Sequence, residues 1–453
     1  MRLLKGFLLA LSFLPSVVFS QGLVIEITQG VDGAFPIAVV PFKWQGPTLT
    51  PPEDLSKIVA ADLHRSGRFR VIQDNLPELP SDVRQVNFEK WRKFGVDAVV
   101  TGVISQSPDL TYQVSYQLID VYRGSDQSKQ EVTNGELVEV ESRKALLDAQ
   151  TPTITIRDQD LRNVAHYFSD RIYQQLIGEQ GAFQTKLAYI NVRTSALNEQ
   201  EFTLVMSDAD GERALDLWKS DLPLMSPSWS PDGEKLAYVS FDGHRASVIV
   251  QEIYTGKRRK VSATPGINGA PSWSPDGKFL ALTLSKDGNP EIYILELTTG
   301  KLKRITRHWG IDTEAKWAPD GRSIIFTSDR GGGPQIYRYS LDTRQVKRLT
   351  FEGRYNARAS FTSDGKRLIM VHRHKQDFNI ATLDLRTGYL DILTETLLDE
   401  SPSLAPNNSM VIYAAQDGDQ GVLGAVSIDG RVKLKLPAAS GEVRDPAWSP
   451  FLN

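Results

Sequence analysis

The C-terminal half of the sequence repeats one short turn motif at a nearly constant interval. The motif is an aromatic or apolar residue followed by a turn of the Ser-Pro-Asp-Gly type. Its copies begin at Trp229, Trp273, Trp317, Phe361, Leu404 and Trp448. Successive copies are 44, 44, 44, 43 and 44 residues apart. A period of roughly 40 to 50 residues with strand-rich units is typical of a β-propeller.

Each repeat contains four short strand patterns. Between residues 271 and 306 these are PSWS, KFLALTLS, EIYILEL and KLKRIT, separated by Asp-Gly, Asn-Pro and Thr-Gly turns. Four such strands make one blade, so residues 185–453 predict six blades. The last copy breaks off as WSPFLN, and the segments KLAYINV, EFTLVMS and RALDLW after residue 185 supply its three missing strands. We therefore expect residues 446–453 to close the ring, which removes the open sheet edges.

Residues 36–178 have a different pattern, which predicts a separate α/β domain. The segment at 37–42 resembles a buried strand, and helical spacing of apolar residues marks 51–69 and 161–177. A chain of 453 residues is long enough for two domains, and residues 179–184 are the predicted linker. The predicted fold class is an N-terminal α/β domain plus a C-terminal all-β six-bladed β-propeller.

Residues 1–20 have the composition of a secretory signal peptide. Arg2 and Lys5 precede an apolar stretch, and Val18-Phe19-Ser20 ends it with a small residue. Cleavage after Ser20 would remove two basic residues and no acidic one, which changes the formal net charge from −3 to −5. The chain has no cysteine, and therefore no disulfide or lipid-modified N-terminal cysteine. We expect a periplasmic protein that does not insert into a membrane.

The sequence contains no obvious catalytic pattern. It lacks a Gly-x-Ser-x-Gly nucleophile elbow, and its Asp-Gly turns do not continue into a calcium-binding loop. The aspartates of these turns are therefore interpreted as turn residues. A slightly negative chain with scattered Lys and Arg argues against nucleic-acid binding. We predict a protein that is not an enzyme and holds no cofactor or metal. A propeller enzyme and a propeller that binds a small ligand remain the alternatives.

Longer motifs along the whole mature chain resemble one known family. They are GVDG, IAVVPFKWQG, DLHRSGRF, DAVVTG, YQLID, LMSPSWSPDG, NGAPSWSPDG and LDESPSLAPN. On these motifs the chain resembles the TolB family, periplasmic proteins of the Tol-Pal envelope system with WD40-like propeller repeats. The resemblance implies a monomeric adaptor that binds the lipoprotein Pal and the inner-membrane-anchored TolA. It also implies roles in outer-membrane integrity and cell division, with outer-membrane proteins and bacteriocins as further partners.

In this family TolA binds the extreme N-terminus of the mature protein, which here is the segment 21–35. The residues implied are Gln21, Gly22, Leu23, Val24, Ile25, Glu26, Ile27, Thr28, Val31, Asp32 and Gly33. The period-2 alternation of residues 23–28 favours binding by strand addition, in which free backbone groups pair with a partner strand.

The resemblance also implies that Pal binds one face of the propeller. The loops that precede the inner strands should converge there, and they lie at 224–227, 267–271, 312–315, 356–359, 399–402 and 444–446. The predicted contact residues are Met225, Pro227, Ile267, Asn268, Pro271, Asp312, Thr313, Glu314, Asn356, Arg358, Glu400, Pro402, Arg444 and Asp445. Two positions depart from the family: Ala315 replaces the proline of its Thr-Glu-Pro, and Ile267 replaces a common histidine. The alternative is that these residues only shape the loops. A cation held by Asp312, Glu314 and Glu400 is a weaker hypothesis.

Overall fold

The structure is a computed structural model that describes residues 25–26, 33–124, 130–133, 136–139, 145–147, 153–243, 245–418 and 420–452. It consists of an α/β domain followed by a six-bladed β-propeller, which confirms the predicted fold class. Within these ranges, no helix has both the length and the apolar character needed to cross a membrane. The predicted signal peptide and most of the segment 21–35 lie outside the described residues.

The α/β domain is built on one mixed sheet. In spatial order its strands are Phe69–Ile72, Phe35–Val39, Ala98–Gln106, Tyr112–Asp120 and Ile154–Ile156, and Lys43–Gln45 also pairs with Ala98–Gln106. In the part of the chain that the structure describes, three helices pack against the sheet: α1 (Leu55–Arg65), α2 (Phe88–Phe94) and α3 (Leu161–Ile177). Short 3₁₀ turns lie at Val83–Gln85 and Asp158–Asp160, and a separate hairpin pairs Gln130–Thr133 with Glu136–Glu139.

Local sequence signals set the ends of these helices. The side chain of Asp54 accepts a hydrogen bond from the backbone N–H of Lys57 at the start of α1, 3.2 Å away. Gly95 and Gly178 end α2 and α3 in the left-handed conformation, each with a φ of 86°. The apolar faces of α1 and α3 share one core with the sheet. This packing brings polar residues of α1 and α3 together at the edge that meets the propeller.

Each propeller blade has four antiparallel strands, with the inner strand lining the central channel. From the inner to the outer strand, blade 1 contains Glu442–Trp448, Lys186–Thr194, Gln200–Asp208 and Leu215–Ser220, and blade 2 contains Leu224–Trp229, Lys235–Ser240, Ser247–Glu252 and Arg258–Ser262. In the same order, blade 3 contains Asn268–Trp273, Phe279–Leu284, Glu291–Glu296 and Leu302–Arg304, and blade 4 contains Asp312–Trp317, Ser323–Ser328, Gln335–Ser340 and Val346–Arg348. Blade 5 contains Asn356–Phe361, Arg367–His374, Asp377–Asp384 and Leu390–Ile392, and blade 6 contains Asp399–Leu404, Met410–Asp417, Gln420–Ser427 and Lys433–Leu436.

Blade 1 joins the C-terminal strand to three strands from the start of the propeller. Leu187 pairs with Trp448, and Ala188 with Ala447. The indole N–H of Trp448 also donates to the hydroxyl of Thr185, 2.7 Å away. The closing strand is Glu442–Trp448, and it ends at the first residue of the last motif copy. The motif therefore marks the end of an inner strand, and the loop at the start of that strand lies several residues earlier in the chain.

The repeated motif connects neighbouring blades and forms their turns. The indole N–H groups of Trp273 and Trp317 donate to backbone carbonyls at Ser228 and Ser272, one blade earlier, at 3.1 and 3.2 Å. In the turn itself, the carboxylate of Asp232 accepts a hydrogen bond from the backbone N–H of Glu234 at 3.0 Å. The motif aspartate therefore acts as a turn residue, as the sequence analysis interprets it.

The α/β domain packs on the end of the propeller that carries the Asp-Gly turns. Asn407, in the equivalent Asn-Asn turn of blade 6, donates to the carbonyl of Gln180, 3.1 Å away, and Gly67 after α1 lies against Val432 of the same blade. The loops that precede the inner strands lie at the opposite end, which is called the mouth here. The domain contact therefore leaves the mouth uncovered.

Candidate functional site

A ring of six residues surrounds the central channel just inside the mouth. Each inner strand contains one non-glycine residue with a φ between 46° and 56°. This residue lies three positions before the end of the strand. The strand register shifts at each of these positions, which is the geometry of a β-bulge. The ring residues are Ser226, Ala270, Glu314, Arg358, Ser401 and Asp445. Left-handed non-glycine residues are costly and cluster at functional sites.

The guanidinium group of Arg358 binds three other members of this ring. Its Nε atom lies 3.0 Å from Glu314 Oε1, and one of its terminal nitrogens lies 2.8 Å from Asp445 Oδ1. The same nitrogen donates to the hydroxyl of Ser401. Asp445 then accepts the backbone N–H of Ser226 at 2.9 Å. The network thus joins five of the six blades across the channel.

Charge complementarity stabilises the ionised form of these groups. Burial disfavours the charge on Arg358, but the carboxylates of Asp445 and Glu314 outweigh it and raise the pKa of Arg358. Burial would raise the pKa of Asp445, but the charge of Arg358 and hydrogen bonds lower it overall. Arg358 and Asp445 are therefore ionised, and the ring acts as a polar floor beneath the mouth.

Above and around this floor, the mouth opens into a cavity of about 900 Å³. Most of the predicted contact residues line it: Met225, Pro227, Ile267, Asn268, Pro271, Thr313, Glu314, Arg358, Pro402 and Asp445. Glu400 and Arg444 line an adjoining cavity of about 390 Å³ that shares Met225, Arg358 and Asp445 with the first. The structure therefore brings these twelve predicted residues to one end of the propeller.

Three predicted contact residues are too buried to offer their side chains to a partner. Asn268, Asp312 and Asn356 occupy equivalent positions at the start of three inner strands and are essentially inaccessible to solvent. The amide of Asn268 bonds to the backbone of Thr264, and the carboxylate of Asp312 lies 2.6 Å from a guanidinium nitrogen of Arg330. For these residues the prediction of direct contact is corrected, because their side chains order the loops from inside.

Four exposed apolar residues near the mouth were not predicted from the sequence. They lie between the outer strand of one blade and the inner strand of the next: Trp309, Ile311, Phe351 and Leu397, with exposed fractions of 77, 48, 73 and 74%. Together with the partly exposed Met225 and Ile267 they are called the apolar rim. Large apolar residues inside polar loops, as in RHWGI and FEGR, were the signal available in the sequence.

The three carboxylates proposed to hold a cation do not converge. Asp312 binds Arg330, Glu314 binds Arg358, and Glu400 faces the adjoining cavity. In the described ranges, three metal-ligand side chains come within 4.8 Å of one another at Asp62, His166 and Asp210, at the domain junction. Guanidinium groups of Arg65 and Arg162 already bind those two carboxylates. This second group is therefore an ionic cluster with its charges balanced by protein side chains.

The N-terminal segment meets the propeller at an outer strand, away from the central channel. Ile25–Glu26 forms a short strand that pairs antiparallel with Leu434 and Lys433 at the outer edge of blade 6. This makes blade 6 a five-stranded sheet. Gly33 lies in a turn with positive φ, Phe35 begins the strand Phe35–Val39, and residues 21–24 and 27–32 lie outside the described ranges.

Comparisons with known proteins identify relatives along the whole chain. The model of the TolB amino-terminal domain matches residues 23–127, and the model of the TolB beta propeller domain matches residues 173–452. A Tol-Pal system protein TolB of Coxiella burnetii is 56% identical over 449 residues, covering 98% of both chains. One of Thioalkalivibrio sulfidiphilus is 55% identical and covers 100% of this chain and 99% of its own. The crystal structure of TolB from Acinetobacter baumannii superposes with a TM-score of 0.82 at 41% identity, covering 95% of this chain and 100% of the other.

Proposed function

The chain belongs to the TolB family of Tol-Pal system proteins, and from this premise we propose that it is a non-enzymatic adaptor of the periplasm. In this proposal the mouth of the propeller binds the lipoprotein Pal, and the N-terminal segment of the exported chain binds TolA. The adaptor would link the two partners, maintain outer-membrane integrity and support constriction of that membrane during division.

The observation that carries the proposal is the apolar rim around a cavity with a charged floor. Exposed aromatic and aliphatic side chains at Trp309, Phe351 and Leu397 surround a mouth whose floor is the charged ring of Arg358. Protein interfaces commonly combine apolar anchors with polar groups that set register. The α/β domain packs on the opposite end, so a folded partner can reach the rim without displacing it.

For TolA, the proposed mode is strand addition by residues 21–33. The pairing of Ile25 with Leu434 supports this mode, because it indicates that the segment can adopt extended backbone at a sheet edge. A segment paired with blade 6 would have to leave that edge before another strand could take its place. We propose that Pal binding changes this equilibrium, which would make the two partners reciprocally coupled.

Calorimetric titration of the full-length mature protein with a purified Pal homologue tests whether the mouth binds Pal. We expect Ile267→Asp and Trp309→Asp to weaken binding by about tenfold or more, since a buried interface anchor is typically worth over about 1.4 kcal/mol. Tyr254→Asp is the matched control, because Tyr254 is 83% exposed but lies in a turn beside Glu234, at the domain-contact end. Failure of the unaltered protein to bind Pal, together with a small molecule bound in the mouth, would favour a ligand-binding or enzymatic propeller instead.

Two further measurements test export and coupling. N-terminal sequencing of protein from a periplasmic fraction should begin at Gln21 if Ser20 precedes the cleavage site. Hydrogen exchange of residues 21–33 should change when Pal is added. Identical exchange with and without bound Pal would contradict the coupling and leave Pal binding itself untouched.

A further inference from the structure

One lysine interrupts a layer of small residues in the channel. Two residues beyond each ring position, the inner strands contain Ser228, Ser272, Lys316, Ser360, Ser403 and Ala447. Five of these side chains are small, and only blade 4 carries a long cationic one. A long charged side chain in a channel layer otherwise made of serine and alanine has no role in the repeated architecture, so it calls for a separate explanation.

Lys316 lies between two cavities. It lines the mouth cavity of about 900 Å³ and also a cavity of about 210 Å³ on the far side of the ring. The second cavity is lined by the indoles of Trp229, Trp273 and Trp317 and by the prolines of the repeated turns. The amine therefore sits at the constriction of the channel, where a group inserted from the mouth can reach it.

The ammonium group of Lys316 lacks a counterion of its own. Among the residues that the structure describes, none forms an ion pair or hydrogen bond with it, although Glu314 and Asp445 act on its charge from a distance. Those two carboxylates are bound to Arg358. Burial lowers the pKa of Lys316, and the two carboxylates offset this only in part. An anion beside the amine would give it the direct partner that Glu314 and Asp445 do not provide.

A second polar group at this constriction, the hydroxyl of Ser360, has no hydrogen-bond partner among the described residues. The hydroxyl of Ser360 is buried without a hydrogen-bond partner and lines the same smaller cavity as Lys316. A buried hydroxyl without a partner costs free energy that a ligand can recover. Lys316 and Ser360 come from adjacent blades, so one small ligand between them could bind both.

We propose that Lys316 and Ser360 form a carboxylate-binding subsite at the constriction of the propeller channel. One ammonium and one hydroxyl match a single negative charge with several acceptor lone pairs. A phosphate dianion would fit less well, because its second charge would face the carboxylates of Glu314 and Asp445. The carboxylate can come from a free small acid or from an acidic side chain of a protein inserted at the mouth.

Competitive acylation of the full-length mature protein tests the subsite without any substitution. The acylation rate of Lys316 is followed by peptide mass spectrometry with acetate as the probe, and with chloride at equal ionic strength as the control. At ten times the dissociation constant, acetate should slow acylation of Lys316 by about tenfold by mass action. The exposed Lys366, whose side chain is 78% accessible, should react at the same rate in both salts.

A second arm uses the purified Pal homologue and so rests on the proposed function. If a partner's acidic side chain occupies the subsite, Lys316→Met should weaken Pal binding by about tenfold, whereas Lys316→Arg, which keeps the charge, should retain most of it. Circular dichroism and melting temperature confirm that both variants fold. Slowing by acetate, or this Met-against-Arg difference, supports the subsite and identifies the source of the carboxylate. If neither occurs while Pal still binds the unaltered protein, the subsite is refuted and the adaptor function stands.

Discussion

The Nδ1 atom of His166 lies 2.7 Å from the carboxylate Oδ2 of Asp62, and this pair forms the centre of the domain junction. Both side chains are buried. On its other side, the His166 Nε2 atom lies 3.7 Å from carboxylate oxygens of Asp208 and Asp210, which belong to blade 1 and its turn. Burial alone would lower the pKa of His166, but the surrounding carboxylates outweigh it and raise the pKa to about 9. A protonated imidazole therefore holds the two domains together.

This arrangement predicts a loss of stability at alkaline pH. Since the pKa of His166 is higher in the folded protein than its unfolded value of about 6.5, its contribution is complete below pH 6.5 and is lost as the pH rises through 9. A shift of this size corresponds to a loss of about 3 kcal/mol. Urea unfolding at pH values from 6 to 9.5 measures it. His166→Gln should make the free energy of unfolding nearly independent of pH in this range. His374 is exposed, so His374→Gln should leave the pH dependence unchanged.

Asp170 predicts a second change of stability with pH, in a more acidic range. Its carboxylate accepts the backbone N–H groups of Phe183 and Gln184 in the linker, at 2.8 and 3.2 Å. Burial nevertheless raises the pKa of Asp170 to about 7. The folded state therefore favours the protonated acid, and this contribution is lost as the pH rises from about 4 to 7. Asp170→Asn should remove the pH dependence of the free energy of unfolding between about pH 4 and 7, and should leave the alkaline loss that depends on His166 unchanged. If the free energy of unfolding changes equally with pH in both proteins between pH 4 and 7, Asp170 is not its source.

Arg358→Ala should destabilise the propeller, because it leaves Glu314 and Asp445 without their shared cation. The three side chains are partly accessible, so we expect a loss of about 1 to 3 kcal/mol rather than the larger cost of a fully buried pair. Arg358→Lys should fall in between, since one ammonium cannot reproduce the forked contacts of a guanidinium. Arg322→Ala is the control: Arg322 pairs with Asp342 in the open, and its loss should change the free energy of unfolding by under about 0.5 kcal/mol. Equal effects of Arg358→Ala and Arg322→Ala would show that the ring carries no stability.

Removal of residues 446–453 should unfold the propeller in one cooperative step. The deletion takes away Trp448, whose indole and backbone N–H groups bond to Thr185 and Ser403. It also removes two of the five positions at which the strand Lys186–Thr194 pairs with its inner neighbour, Trp448 and Ala447. Deletion of residues 21–33 is the control, since it leaves the four strands of every blade in place. A truncated protein with an unchanged melting temperature would refute closure by the C-terminal strand.

Features with a local sequence signature were predictable, and features made by distant residues were not. The interval between Trp229 and Trp273 equals one blade, because each copy of the motif forms the same turn. By contrast, Glu314 and Arg358 are left-handed residues of types that give no turn signal, so their ring appears only when the blades are assembled. The burial of Asp312 depends on Arg330, which the loop sequence does not reveal as its partner.

The domain junction illustrates the same limit. His166 lies on the predicted helix at 161–177, where its spacing suggests nothing more than a polar position. Its partners come from α1, about one hundred residues earlier, and from blade 1, about forty residues later. Periodicity describes one element at a time. It therefore predicted the helix but could not identify the charges that meet it across a domain boundary.

The N-terminal strand predicts a local change in hydrogen exchange at one edge of the propeller. Ile25–Glu26 pairs with Lys433 and Leu434, so deletion of residues 21–33 should expose backbone groups of that outer strand to solvent. We expect the amides of this strand that point towards Ile25–Glu26 to exchange roughly tenfold faster in the truncated protein. The outer strand of blade 5, Leu390–Ile392, is the matched control, because it has no such added strand and should exchange at an unchanged rate. Equal exchange of the blade 6 edge in both proteins would show that the segment spends little time there, and strand addition to a partner would then require no release step.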